Sequence, residues 1–185
     1  GAVISAVDNA LRVLDISNST LAEFMIRIAR TESGGSHDAV WVASQPEGAD
    51  LIVSHTADPF QLDLSATSEV KTNVNMRHWR DFFDKQREKG IVRMGPLTAQ
   101  GHSEIESNEK LGAIFATLYV IWRIGASISR TAWNPDKRAD IGYFVPADLD
   151  TQALFWKSEY NTSSGAGELC DFTEKNGGAH CPEEG

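Results

Sequence analysis

Positive charge is scarce in this chain. Seventeen Lys and Arg face twenty-six Asp and Glu, which gives a formal charge of −9 at pH 7. Binding to nucleic acid works by neutralising phosphates with clustered cations, and no basic stripe is present, so a nucleic-acid partner is not expected. Part of the acidity is local. Within 168–185, Glu168, Asp171, Glu174, Glu183 and Glu184 stand against Lys175, five acids less one base, or −4 of the −9. Long apolar runs are also missing. The longest, 111–122, falls short of the roughly 20 residues a helical span requires, so no membrane span is expected. No leader segment is visible and the first residue is Gly1, which suggests an excised domain or a mature fragment.

Motifs for metals and cofactors are absent too. The five histidines (His37, His55, His78, His102 and His180) show no HExxH or other ligand spacing. There is no Walker loop, Rossmann fingerprint or G-x-S-x-G elbow. The expectation is chemistry with neither metal nor organic cofactor. Only two cysteines occur, Cys170 and Cys181, within a Gly-rich stretch. A disulfide closing that small loop suits an exported protein, and two free thiols are the alternative.

What is present is an ordinary globular composition, 41% hydrophobic and 23% charged over 185 residues, enough for one domain with a proper core. Residues 2–16 read as an opening helix. Residues 21–35, LAEFMIRIARTESGG, read as a second, with Thr20 as cap and Glu23 reaching back to it. Leu21, Phe24, Met25 and Ile28 form one apolar stripe, and the next position on that stripe is Glu32. Gly34 and Gly35 supply a stop. A carboxylic acid is thereby delivered to the buried side of a helix, at its C-terminal end. Apolar surroundings and the negative end of the helix dipole both disfavour its ionised form, which is how a protein keeps a general acid protonated near neutral pH.

Further along, 39–43 (AVWVA), 51–54 (LIVS) and 60–64 (FQLDL) have β-type texture, so 38–65 is expected to form a small antiparallel lobe. Residues 76–89 form an amphipathic helix, 90–107 a long loop, and 108–128 a helix apolar nearly all round. Residues 131–148 read as a surface connection, about 149–160 as a last helix, and 168–185 as an acidic, Gly-rich tail. The fold class expected is α+β, mainly α.

Four blocks then bear on function. Glu32-Ser33-Gly34 within ARTESGG resembles the (I/A)-x-x-E-S-G signature of lytic transglycosylases in the lysozyme-like superfamily. Asp58-Pro59-Phe60-Gln61-Leu62 resembles the second block of that family, usually G-L-M-Q, with Asp58 in place of its Gly. Asn108, Gly112 and Leu118 resemble the third, a packing motif. Tyr160-Asn161, followed by Gly165-Ala166-Gly167, resembles the fourth, Y-N-A-G, with extra residues after the Asn. The ordered set covers 32–167. The longer spacing from Glu32 to Gln61 places an insertion in the β-lobe.

The resemblance implies a lysozyme-like catalytic domain over 1–167, with the β-lobe at 38–65. It would cleave the β-1,4 bond between N-acetylmuramic acid and N-acetylglucosamine in peptidoglycan. Glu32 would be the single acid/base and Ser33 would help place substrate. Phe60 and Gln61 would line the cleft, Tyr160 would reach Glu32, and Asn161 would contact glycan. Asp58 is a candidate second carboxylate for a hydrolytic muramidase, as is Asp63; the turn preference of Asp-Pro instead makes Asp58 a backbone cap. A non-catalytic glycan- or partner-binding module and a peptide-cross-link endopeptidase are the other readings. The expected partners are peptidoglycan strands, with an inhibitor, immunity, virion or secretion partner also in view. The expected setting is the periplasm, the cell wall, a phage particle or a secreted effector. Of the five tryptophans, Trp41 and Trp156 lie nearest the expected site.

Overall fold

The computed structural model describes residues 2–33, 58–128, 130–161 and 167–182. Helix α1 spans Ala2–Val13 and α2 spans Ser19–Glu32. Helix α3 (Leu64–Thr72) leads through a 3-10 turn into α4 (Arg77–Glu88). The short α5 (His102–Glu106) precedes α6 (Glu109–Ser127), and α7 (Leu149–Phe155) runs straight into a π-helical turn, Trp156–Asn161. Helix α8 is Leu169–Lys175. Among the described residues there is no strand, and no helix is long and apolar enough to cross a membrane.

Helix α6 is the hub. Its residues from Leu111 to Ile121 are all buried, as the apolar sequence requires, and α1, whose Val3, Val7 and Ala10 are fully buried, packs against it. Helices α2 and α3 lean on this pair, and α8 covers the outer side of α2 and α7. The third sequence block acquires a physical role here. Asn108 caps α6, its side-chain oxygen accepting from the Leu111 amide at 3.1 Å, and Leu118 is fully buried. Gly112 lets the Asp58 loop approach: a Cβ there would lie 2.8 Å from Asp58 Oδ1.

Several expectations change. Helix α2 is capped by Asn18, whose side chain accepts from the Leu21 amide at 2.8 Å, so Thr20 lies inside the helix. Glu23 pairs with Arg27 one turn ahead, at 3.1 Å, and makes no capping box. The stop at Gly34 and Gly35 lies outside the described residues; the helix ends with Ser33 as its C-cap. Residues 60–64 are not a strand. Phe60 and Leu62 are buried and Gln61 and Asp63 exposed, which gives the alternation, but Gln61 sits at φ 48° and turns the chain, and Asp63 caps α3 through the Ala66 amide at 2.7 Å. The rest of the expected β-lobe, 38–57, lies outside the described residues. The loop at 90–107 contains a 3-10 turn and α5, and the surface connection at 131–148 is largely 3-10 helix.

The C-terminal stretch is also more ordered than its composition suggested. Leu169, Phe172 and Thr173 of α8 are buried, and Phe172 packs edge-on against Phe24 of α2 with centroids 6.2 Å apart. Cys170 and Cys181 form a disulfide with Cα atoms 5.0 Å apart. Reducing it opens an 11-residue separation, and the chain-entropy argument then gives a loss of about 2–3 kcal/mol. The expected results are no alkylation of unreduced protein by intact mass and a lower urea midpoint after reduction. Ready alkylation without reductant would remove the bond.

Candidate active site

Glu32 is the last residue of α2, one turn beyond the fully buried Ile28. It is half-buried, and burial pushes its carboxyl up to about 7 against an ordinary 4.5. Opposing this, Trp156 Nε1 donates to Glu32 Oε1 at 3.0 Å, the Asn161 side chain also hydrogen-bonds to the carboxyl, and Lys175 attracts its ionised form. Asp58 adds a small push upward. The result is a carboxyl that holds its proton near neutrality and can also lose it there, which is what a group serving as acid and then base needs.

Two cavities meet at this carboxyl, of about 170 and 410 Å³. They share Glu32, Gln61 and Asn161. The smaller continues to Asp63, Ala66 and Tyr160, and the larger to Trp156, Asp171 and Lys175. Glu32 therefore has open space on both sides, the arrangement a chain-like substrate requires if it is to be cut internally.

The second block supplies the wall and its support separately. Asp58 is 1% exposed, and its two oxygens accept from the Phe60 amide at 3.0 Å and the Leu62 amide at 3.1 Å. It folds the loop after Pro59, as the turn reading expected, and lines neither cavity. Burial outweighs those two donors and raises its carboxyl to about 6. The same loop holds Gln61 in the left-handed region, uncommon for a non-glycine residue, with Nε2 donating to the Asp58 carbonyl at 2.6 Å. Such conformations persist where the surroundings over-determine them, and they cluster at functional sites. Here the loop places Gln61 on the wall of both cavities.

Not every expected residue is brought to the carboxyl. Phe60 is fully buried and faces the core; its backbone carbonyl is what matters, accepting from Tyr160 Oη at 2.7 Å. Tyr160 therefore ties the fourth block to the second and makes no hydrogen bond to Glu32, although it borders the same cavity. Burial first, then the Glu32 and Asp58 carboxyls, raise its phenol well above its usual value, so it remains a donor. The Ser33 hydroxyl turns back to the Arg30 carbonyl at 3.4 Å and lines neither cavity. Trp41, His37 and His55 lie outside the described residues. His102 pairs with Glu106 at 2.7 Å and His180 with Asp150 at 3.5 Å, away from these cavities. Among the described residues no cluster of His, Cys, Asp or Glu could hold a metal.

Two contributors escaped the sequence reading, Lys157 and Lys175, because an isolated Lys carries no motif. Trp156 was noted for its place in the chain and serves as a hydrogen-bond donor. The fold and site together define an all-helical arrangement, over the described residues, built round one perturbed carboxyl in a groove. Comparison of the chain with protein families, with curated proteins and with solved structures gives no match.

Proposed function

We propose that this protein cleaves the glycan strands of peptidoglycan at the β-1,4 bond between N-acetylmuramic acid and N-acetylglucosamine. The observation that carries the reading is Glu32, a carboxyl raised to about 7 at the junction of two cavities. The order of the four sequence blocks supplies the substrate class and the proposed lysozyme-like fold. In the first step, protonated Glu32 gives its proton to the glycosidic oxygen as the bond from C1 to that oxygen breaks. The 2-acetamido group of the muramic acid stabilises the oxocarbenium-like centre, in place of a second carboxylate. Ionised Glu32 then removes the proton of the C6 hydroxyl, whose oxygen closes on C1 to give a 1,6-anhydro end. Protons balance: Glu32 finishes protonated. Trp156 and Asn161 stabilise the ionised form between the steps.

Transglycosylation is favoured over hydrolysis by what the other carboxylates are doing. Both oxygens of Asp58 hold backbone amides. Asp63, which borders the smaller cavity, caps α3, and Asp171, which borders the larger, accepts from the Glu168 amide at 2.8 Å. The disulfide supports an exported setting. Mass spectrometry of purified sacculi after digestion tests the reading. Anhydromuramic ends are expected. Reducing muramic ends would transfer the reaction to a hydrolase with Asp63 as partner carboxylate, cut peptides would make it an endopeptidase, and intact sacculi would leave a binding module.

A further inference from the structure

The π-helical turn after α7 has a geometric consequence for Glu32. In an α-helix each residue turns the chain by about 100°, so two side chains five apart point roughly 140° away from each other. Closing the backbone in i→i+5 fashion brings such a pair round to the same side of the helix, and π-turns occur frequently at functional sites. Trp156 and Asn161 are five apart and are the first and last residues of this turn, and both reach the Glu32 carboxyl. Trp156 is 1% exposed and seated on Phe172 of α8, with centroids 5.8 Å apart, so its N–H has a set direction.

An asparagine amide can face either way, and the wrong way presents its oxygen to the carboxyl. Lys157 decides this. Its Nζ donates to Asn161 Oδ1 at 3.0 Å and also to the Gly167 carbonyl. An ammonium offers donors only, so the amide oxygen must face Lys157, and the NH2 group is left for Glu32. We propose that Trp156 and Lys157 are the positioning pair of this site: Trp156 holds Glu32 directly, and Lys157 orients the Asn161 amide so that it donates to the same carboxyl. The proposal rests on Glu32 being the acid/base of the site. Among the described residues, the other charged or titratable groups about Glu32 are Lys175 on α8, Asp58 on the second-block loop and Tyr160, with Asp63 and Asp171 at the far ends of the two cavities.

Both donors favour the ionised carboxyl, so removing either should raise its pKa. The test is NMR titration of Glu32 in full-length protein carrying carboxyl-labelled glutamate, which needs no substrate. Wild type is expected near 7. Trp156→Phe and Lys157→Met should each move the midpoint up by about one pH unit, the worth of a hydrogen bond to a charged group. Lys157→Arg should restore it. On an Asn161→Ala background, Lys157→Met should cause no further shift, which separates orientation of the amide from loss of a nearby charge. Because Trp156 is a core residue, its variant is checked for native fold by circular dichroism; Lys157 is half-buried, and its series decides alone if Trp156→Phe does not fold. An unmoved midpoint in Lys157→Met, or one moved equally with and without Asn161, overturns the pair. A wild-type Glu32 titrating near 4.5 overturns it together with the acid/base role. A raised Glu32 in a protein that cuts no glycan overturns only the function.

Discussion

Glu32→Gln is expected to abolish sacculus cleavage and to make the protein more stable at alkaline pH. The amide is nearly isosteric and can still accept from Trp156, but it can neither give nor take a proton. Loss of an essential acid/base costs roughly two to four orders of magnitude in rate. The stability effect follows from linkage. The folded protein holds the Glu32 proton more tightly than the unfolded chain, with midpoints near 7 and 4.5. Wild-type stability on this account falls as pH rises from about 4.5 to about 7 and is level above that. At about 1.4 kcal/mol per pH unit, with some discount for partial exposure, the ionised group costs roughly 2–3 kcal/mol. The Gln variant escapes that cost, so its urea midpoint at pH 8 should exceed that of wild type, while the two converge near pH 5. The cleavage rate of wild type should fall above about pH 7 as Glu32 loses its proton in the free enzyme. A folded variant with near wild-type activity would remove Glu32 from the chemistry.

Asp58→Ala is expected to strike stability first. It leaves the Phe60 and Leu62 amides without acceptors in a buried loop. Each such orphan costs about 1–3 kcal/mol, partly offset by removal of a carboxyl that is itself unfavourable to ionise there. The net loss expected is about 2–4 kcal/mol by urea denaturation at pH 7. The loop also carries Gln61 and receives the Tyr160 hydroxyl, so activity should fall modestly, through looser placement of the cavity wall, with products unchanged. If the folded variant were instead as inactive as Glu32→Gln, Asp58 would have to be counted in the chemistry.

The contrast between these two acids shows what could be read from residues alone. Glu32 was legible because a 3.6-residue stripe is a local property, and four apolar positions aim the fifth. Asp58 was legible as a turn former because Asp before Pro favours capping, whatever surrounds it. Phe60 to Leu64 misled because burial alternated with period two for a reason other than β-pairing: one left-handed residue, Gln61, separates two side chains that both enter the core. Helix α8 was hidden by polar and glycine-rich composition. Asp171, accepting from the Glu168 amide at 2.8 Å, marks its start locally, but its docking through Leu169, Phe172 and Thr173, and the disulfide, are not local signals. The π-turn is the same kind of omission. Its pattern of apolar residues is that of an α-helix, and the contacts of Trp156 and Asn161 with Glu32 that accompany the wider turn are long-range.

The bond between Trp156 and Glu32 joins residues 124 positions apart, and Asn176 reaches back to α2 across 149, bonding to the Arg27 carbonyl at 3.3 Å. On the ribosome, Glu32 emerges long before the groups that set its proton balance. At 5–20 residues per second, the interval is on the order of ten seconds. Through that time α2 can form its local hydrogen bonds, yet its terminal carboxyl has neither indole nor amide beside it and no second wall to its cavity. Closing so wide a loop is a late event in folding, because the entropy lost is recovered only when the distant contacts are made. The nascent chain therefore carries the Glu32 carboxyl unassembled until synthesis has passed Asn161, and a chain ending before Trp156 never assembles it.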